Sequence, residues 1–95
     1  MGNFHLEIWK EELCLQKNKK MMELMEVKRK IERLQDRLLF LQDIKEKLQS
    51  SILEKLEKEI QFLIEDQVRL KKEIADIDTI LHSIEIEIGN IMLAQ

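Results

Sequence analysis

Three residues near the carboxyl end of the chain have the types and spacing of a metal site. Asp78, His82 and Glu85 fall at i, i+4 and i+7, which places them on one face of a helix. Such a face could hold a divalent metal ion, with one or two further ligands from a neighbouring chain. Charged residues three or four positions apart are also routine on the solvated side of a helix. We therefore expect a solvated face here, with no metal and no cofactor.

A catalytic nucleophile is the second possibility that the residue types raise. Cys14 is the single cysteine, and His5 lies nine positions before it, so the two side chains do not share a helical face. A thiol needs an adjacent base, a positive neighbour or a metal to act as a nucleophile. No acid–base pair can be assembled around Cys14 from the sequence, which therefore predicts no enzyme.

Basic residues cluster in the first half of the chain, where they could contact phosphates. They lie in segments 17–20 and 28–37. Phosphate contacts supply most of the affinity of a nucleic-acid-binding protein. Acidic residues such as Glu32 and Asp36 are interleaved, and the chain is acidic overall, with a net charge of −3. We expect a solvated, salt-bridged face and no nucleic-acid partner, and a small nucleic-acid-binding regulator built on a dimeric helical bundle is the alternative function.

The composition indicates long helices. Charged residues make up 37% of the 95 residues, aromatic residues make up 4%, and proline is absent. This is the composition of a coiled coil, and the length allows one domain. No apolar run approaches the ~20 residues that span a bilayer, so we expect no membrane partner. A lone cysteine without a secretory signal predicts an intracellular, cytoplasmic protein.

Apolar residues recur with heptad spacing along two seams, one in each half of the chain. Such 3-4 spacing, sustained over several heptads, is typical of coiled coils. Lys10, Lys17 and Lys20 fall where the first seam should be apolar, so we expect weaker packing there. The predicted helix-pairing seam consists of Leu24, Val27, Ile31, Leu34, Leu38, Leu41, Leu48, Leu53, Leu56, Ile60, Leu63, Gln67, Leu70, Ile74, Ile77, Leu81 and Ile84.

The two seams are out of phase at the middle of the chain. The step from Leu48 to Leu53 is five residues where an unbroken heptad has four, and one extra residue turns the apolar face by about 100°. A turn at 49–52 explains this shift, and Ser51 and Glu54 fit a capping box that opens the second helix. We predict a single module, residues 1–95, with a helix over about 4–49, a turn at 49–52 and a helix over about 52–92. One continuous long helix in a coiled-coil dimer is the alternative.

A turn at 49–52 fixes how the two helices would align. Positions whose numbers sum to 101 then face each other, so that Leu38 meets Leu63 and every a position meets a d position. The same alignment places Arg37 near Asp66 and Lys30 near Glu73. Gly89, followed by Asn90, is a signal for the end of the second helix.

A second set of apolar residues lies outside the seams. Two paired helices bury one stripe each, and a lone hairpin rarely offsets the cost of ordering its backbone. We therefore expect the hairpins to oligomerise into a helical bundle. Trp9 has apolar neighbours in Phe4, Leu6, Ile8 and Leu13. The candidate partner surface consists of Trp9, Met21, Met22, Met25, Leu39, Phe40, Phe62, Ile64 and Val68.

These patterns favour a non-enzymatic function. The fold class that they predict is all-α, a long antiparallel helical hairpin. We expect a coiled-coil oligomerisation and protein–protein interaction module, of the scaffold or adaptor kind. The expected partners are a second copy of the chain, another helical protein, or both, and we expect no small-molecule substrate.

Overall fold

The protein is a hairpin of two long helices. The computed structural model describes residues 2–94, with the side chains of residues 4–91 and Leu93. Helix α1 spans Gly2–Asp43, a three-residue 3-10 turn spans Lys45–Lys47, and helix α2 spans Ser50–Ala94. The two helices pack along their lengths, and the hairpin measures 74 × 15 × 14 Å.

The predicted all-α helical hairpin is confirmed, and the alternative of one continuous helix is wrong. The chain reverses between Asp43 and Ser50, and no strand occurs among residues 2–94. Over the same residues, neither helix has a stretch long and apolar enough to cross a membrane.

The turn lies earlier than the predicted 49–52. Helix α1 ends at Asp43, and the backbone N–H groups of Lys47 and Leu48 donate to the carbonyls of Ile44 and Lys45 at 2.9 and 3.1 Å. Leu48 then adopts an extended conformation, with φ −112° and ψ 155°, which ends the 3-10 turn. An unbroken helix would place charged Lys45 in the seam, whereas the turn leaves its side chain exposed. The helical boundary therefore removes a charge from the pairing surface.

The predicted capping box is also wrong. Helix α2 begins at Ser50, so Ser51 is its second residue and does not precede it. The first turn of α2 is closed through the backbone, where the N–H of Ile52 donates to the carbonyl of Gln49 at 3.1 Å.

The register of the hairpin differs from the predicted one by one heptad. The residue numbers of the three cross-helix ion pairs sum to 95, 95 and 93, which is close to 94. The predicted alignment has sums of 101. Moving the pairing by seven keeps every a position opposite a d position, but it displaces the partner by about 10 Å along the helix. The ion pairs are Lys10 with Glu85 at 3.3 Å, Lys17 with Asp78 at 2.6 Å and Lys20 with Glu73 at 2.8 Å.

The core follows the same register in two clusters. Ile31 and Leu34 are buried together with Ile60 and Leu63 near the turn. A second cluster, toward the open end, contains Leu13, Ile77 and Ile84. Ile77 therefore packs near Leu13, whereas the predicted alignment put it opposite Leu24.

All of the predicted seam residues from Leu24 to Ile84 are buried or partly buried. Leu70 is the most enclosed, at 1% exposure. Gln67, the polar residue in the seam, is partly buried. The seam thus forms the middle of the contact between α1 and α2, and Leu6, Leu13, Ile80 and Ile88 extend that contact toward the open end.

Gly89 does not end helix α2. The helix continues to Ala94, and Gly89 has no positive φ, so the predicted C-cap is wrong. A Cβ at this position would have nothing within 4 Å. Gly89 therefore contributes only the backbone freedom that a glycine loses on folding.

Replacing Gly89 by alanine should stabilise the hairpin. A glycine inside a helix costs about 0.5–1 kcal/mol relative to alanine. For a domain of this size the gain corresponds to about 2–6 °C in the thermal midpoint, measured by circular dichroism. Ala75→Gly, the reverse exchange at an exposed position in α2, should lower the midpoint. A lower midpoint for Gly89→Ala would show that Gly89 caps the helix after all.

Candidate interaction surface

A stripe of exposed apolar residues runs along α1 on the side away from α2. Ile8 and Leu15 follow the core residues Leu6 and Leu13 by two positions, which turns their side chains by about 200° from the pairing side of α1. Among the members of the stripe the exposed fraction ranges from 39% to 71%. We call this set the outer stripe, and it consists of Phe4, Ile8, Leu15, Met22 and Met25.

Heptad spacing holds the outer stripe in line. Steps of four, seven, seven and three residues connect its members, and Glu11 and Asn18 fill the positions left between them. This is the spacing of a coiled-coil seam, carried on the opposite side of the same helix. Leu15 was missed in the predicted partner surface. Its seven-residue spacing from Ile8 and from Met22 is the signal that could have identified it.

The other predicted partner residues do not form one patch. All of that set except Ile64 are exposed, and Ile64 packs against the core cluster of Ile31 and Leu34. Leu6 and Leu13, which were grouped with Trp9, belong to the core at the open end. The hairpin itself therefore buries Leu13 and partly buries Leu6 and Ile64.

Pairing at sums of 101 would also bring Leu39 and Phe40 near Phe62 and Val68, and this expectation is wrong. It depended on an alignment that is displaced by seven residues, or about 10 Å. By heptad position, Trp9, Phe40 and Phe62 fall on one broad side of the hairpin, which we call the aromatic side. Met21 and Val68 fall on the other broad side.

A charged network occupies the middle of the aromatic side. Lys20 donates from Nζ to Glu73 Oε2 at 2.8 Å, and Arg69 donates from Nη1 to Glu73 Oε1 at 2.9 Å. Arg69 also donates from Nη2 to Asp66 Oδ1 at 2.6 Å. The hydrogen bond from Lys20, followed by that from Arg69, lowers the pKa of Glu73. The network therefore fixes a carboxylate in its ionised form between the two helices.

An open groove beside this network has mixed charge. Its lining contains five acidic residues, among them Glu23 and Glu26, and three basic residues, among them Lys30 and Arg33. Opposite charges at this spacing cancel over a few ångströms, so the groove presents no field of a single sign. The basic residues of segment 28–37 that line the groove therefore lie among acidic side chains.

The candidate metal face is engaged in pairing the helices. Asp78 forms an ion pair with Lys17, and Glu85 forms one with Lys10 of the facing helix. Among the residues that the structure describes, no group of three or more ligating side chains converges. Asp78 and Glu85 serve the register of the hairpin, while His82 is exposed.

Cys14 is an exposed thiol on α1. His5 packs edge-on against the ring of Phe4, with ring centroids 6.0 Å apart. Nine residues separate His5 from Cys14, which corresponds to about 13 Å along a helix. The structure therefore brings no base from His5 to this thiol.

Comparison with known proteins identifies no relative of this chain. No protein-family model, no curated protein and no solved structure matches it. A functional conclusion has to come from the chain's own residues and geometry.

The Glu73 network should make stability depend on acid pH. Because the pKa of folded Glu73 lies below its ordinary value of 4.5, its hydrogen bonds stabilise the fold above that value and are lost as the pH falls through the lowered one. Glu73→Gln should therefore lower the thermal midpoint near neutral pH, and the difference from the unmodified protein should vanish in strong acid.

The control is Glu57→Gln, on an exposed residue of the same helix that joins none of the ion pairs among residues 2–94. Its midpoint should follow that of the unmodified protein at every pH. A deficit for Glu73→Gln that is the same at all pH values would contradict the role of the ionised carboxylate.

Proposed function

We propose that this chain is a non-enzymatic coiled-coil module that associates with a second copy of itself and serves as a scaffold or adaptor for other helical proteins. The observation that carries the proposal is the outer stripe. Five large apolar side chains are exposed to solvent in a line along α1, on the side opposite the one that pairs with α2. An exposed apolar patch of this extent marks a site of association in soluble proteins.

The energetics of a two-helix hairpin support the proposal. Each residue that is ordered costs about 1–2 kcal/mol, and apolar surface returns about 25 cal/mol per Å² removed from water. The hairpin buries a single seam, and three lysines interrupt it in the first part of α1. Burying the outer stripe would add apolar area along that same part of α1.

The chemistry of the exposed residues fits a helical partner. Methionines adapt to varied surfaces, and aromatic residues anchor interfaces. Phe40 and Phe62 remain exposed away from the outer stripe, so a second protein could dock there while copies associate through α1. A cytoplasmic, intracellular location belongs to this proposal and rests on the single Cys14, which can form no disulfide within the chain.

No specific observation favours the nucleic-acid alternative. Lys10, Lys17 and Lys20 are engaged with carboxylates of α2. Binding to a phosphate backbone would have to break those pairs or rely on charges that are interleaved with acidic residues. We therefore propose the protein-interaction function alone.

Self-association should be visible directly. Sedimentation equilibrium of the full chain at about 100 µM, a concentration at which a micromolar complex is nearly saturated, should give at least twice the monomer mass of 11.4 kDa. About 0.5 M salt should leave most of the complex intact, since apolar contacts are not screened. A monomer mass under both conditions would contradict the self-association part of the proposal.

A further inference from the structure

We propose that the outer stripe of α1 pairs with the outer stripe of a second copy, antiparallel and in a register in which facing positions sum to about 33. The inference rests on the proposed self-association and names its surface, its direction and its alignment. The occupant of the stripe is a second copy of this chain because the charges beside the stripe complement themselves in this arrangement.

The flanking charges carry the argument. In an antiparallel coiled coil, residues that flank the core also face each other in pairs. Here the residue numbers of such pairs sum to about 31 on one side of the stripe and to about 35 on the other. At these sums every flanking pair of charged residues is attractive, and the twofold axis makes each pair occur twice. The pairs are Glu12 with Lys19 on one side and Glu7 with Lys28 on the other.

Neighbouring registers lose this complementarity. Sliding the copies by one heptad in one direction sets Glu12 against Glu12 of the second copy. Sliding them in the other direction sets Lys19 against Lys19, and Glu12 against Glu26. Like charges at facing positions disfavour both alignments. A parallel pair would set Glu7 beside Glu12 and Lys28 beside Arg33, so the charges select direction as well as register.

The apolar layers are compatible with the same alignment. Ile8 faces Met25 of the second copy, and Leu15 faces Asn18, which is short enough to let Leu15 approach the facing helix. Phe4 faces Arg29, whose guanidinium can lie over an aromatic ring. On the side of Glu7, Cys14 faces Met21. Every member of the stripe thus meets an apolar, short or cationic neighbour, apart from Met22, which meets the stem of Glu11.

The exposed area suits a dimer. Five large side chains that are 39–71% exposed present roughly 600 Å² of apolar surface, at the upper end for one patch on a monomer. Burial of the stems of the flanking charged residues brings the interface toward the ~800 Å² per partner of a standard complex. The stripe is therefore large enough to hold two copies together without help from α2.

The alignment predicts a staggered particle. Its twofold axis passes near residues 16 and 17 of α1, about eight residues from the middle of the hairpin. The centre of each copy therefore lies about 12 Å from the axis, and the two centres are about 24 Å apart along the helices. The turns point in opposite directions and project beyond the paired region. The dimer should measure about 100 Å along its length, whereas one hairpin measures 74 Å.

Charge exchange tests the register. Glu12→Lys and Lys19→Glu should each raise the dimer dissociation constant about tenfold, because each change creates two repulsive pairs. The double variant reverses both charges and should return to within about threefold of the unmodified protein. Sedimentation equilibrium gives the constants, and circular dichroism checks that the helical content is unchanged. Failure of the double variant to restore the dimer would overturn the register.

A second pair of variants tests the surface itself. Leu15 is 71% exposed and Phe62 is 67% exposed in the hairpin, so a lysine at either position leaves the core intact. Leu15→Lys should raise the dissociation constant about 100-fold or more, since it buries a charge against Asn18 near the twofold axis. Phe62→Lys is the matched control on α2 and should leave the dimer unchanged.

The outcomes separate this inference from the proposed function. A dimer that survives Leu15→Lys but dissociates with Phe62→Lys would show that copies associate through another face, which overturns the outer stripe and leaves self-association standing. A small-angle scattering length near 74 Å for the dimer would overturn the stagger. An unmodified protein that stays monomeric would overturn the inference and the self-association proposal together.

Discussion

Three lysines on the pairing side of α1 match the alignment of the two helices. A heptad pattern alone cannot do so, since sliding one helix by seven residues again places every a position opposite a d position. The observed alignment gives all three lysines an acidic partner on α2. Sliding α2 by one heptad leaves Lys20 facing Ile80, and sliding it the other way brings Lys17 to Lys71. Charge placed inside an apolar seam thus supplies the information that the apolar residues lack.

The sequence predicts the hairpin because both of its causes are local. The seams are visible as 3-4 spacing, and the five-residue step between Leu48 and Leu53 reveals that the halves are out of phase. The position of the turn was less visible, since residues 44–49 contain no glycine or proline and Lys45 to Lys47 are good helix formers. The register was invisible for a further reason: Lys20 and Glu73 are 53 positions apart, and no local pattern links them. In the sequence, the three lysines predict only weaker packing of the seam.

The exposed residues of the candidate surface could be predicted from the heptad pattern of each helix taken alone. Exposure of Met22 and Met25 follows from their distance from the seam, and the heptad steps from Ile8 through Leu15 to Met22 extend the same reasoning. Ile64 was misplaced because it flanks the seam, where burial depends on the side chains of the facing helix. The relation of Leu39 to Phe62 required the register and was wrong with it. Features that depend on one helix alone could be inferred from the sequence. Contacts that depend on the alignment of both helices could not.

The outer stripe runs along the part of α1 where the seam is least apolar. Lys10, Lys17 and Lys20 interrupt the seam between Leu6 and Leu24, and the stripe from Phe4 to Met25 covers the same turns on the opposite side. Pairing through the stripe would therefore stabilise the end of the hairpin that its own seam holds least firmly, by mass action on the folded state. The charges in the seam reduce apolar burial, and the proposed association of copies along the other side of α1 would offset that loss. One helix would then serve two interfaces, with α2 and the turn left available to a further partner.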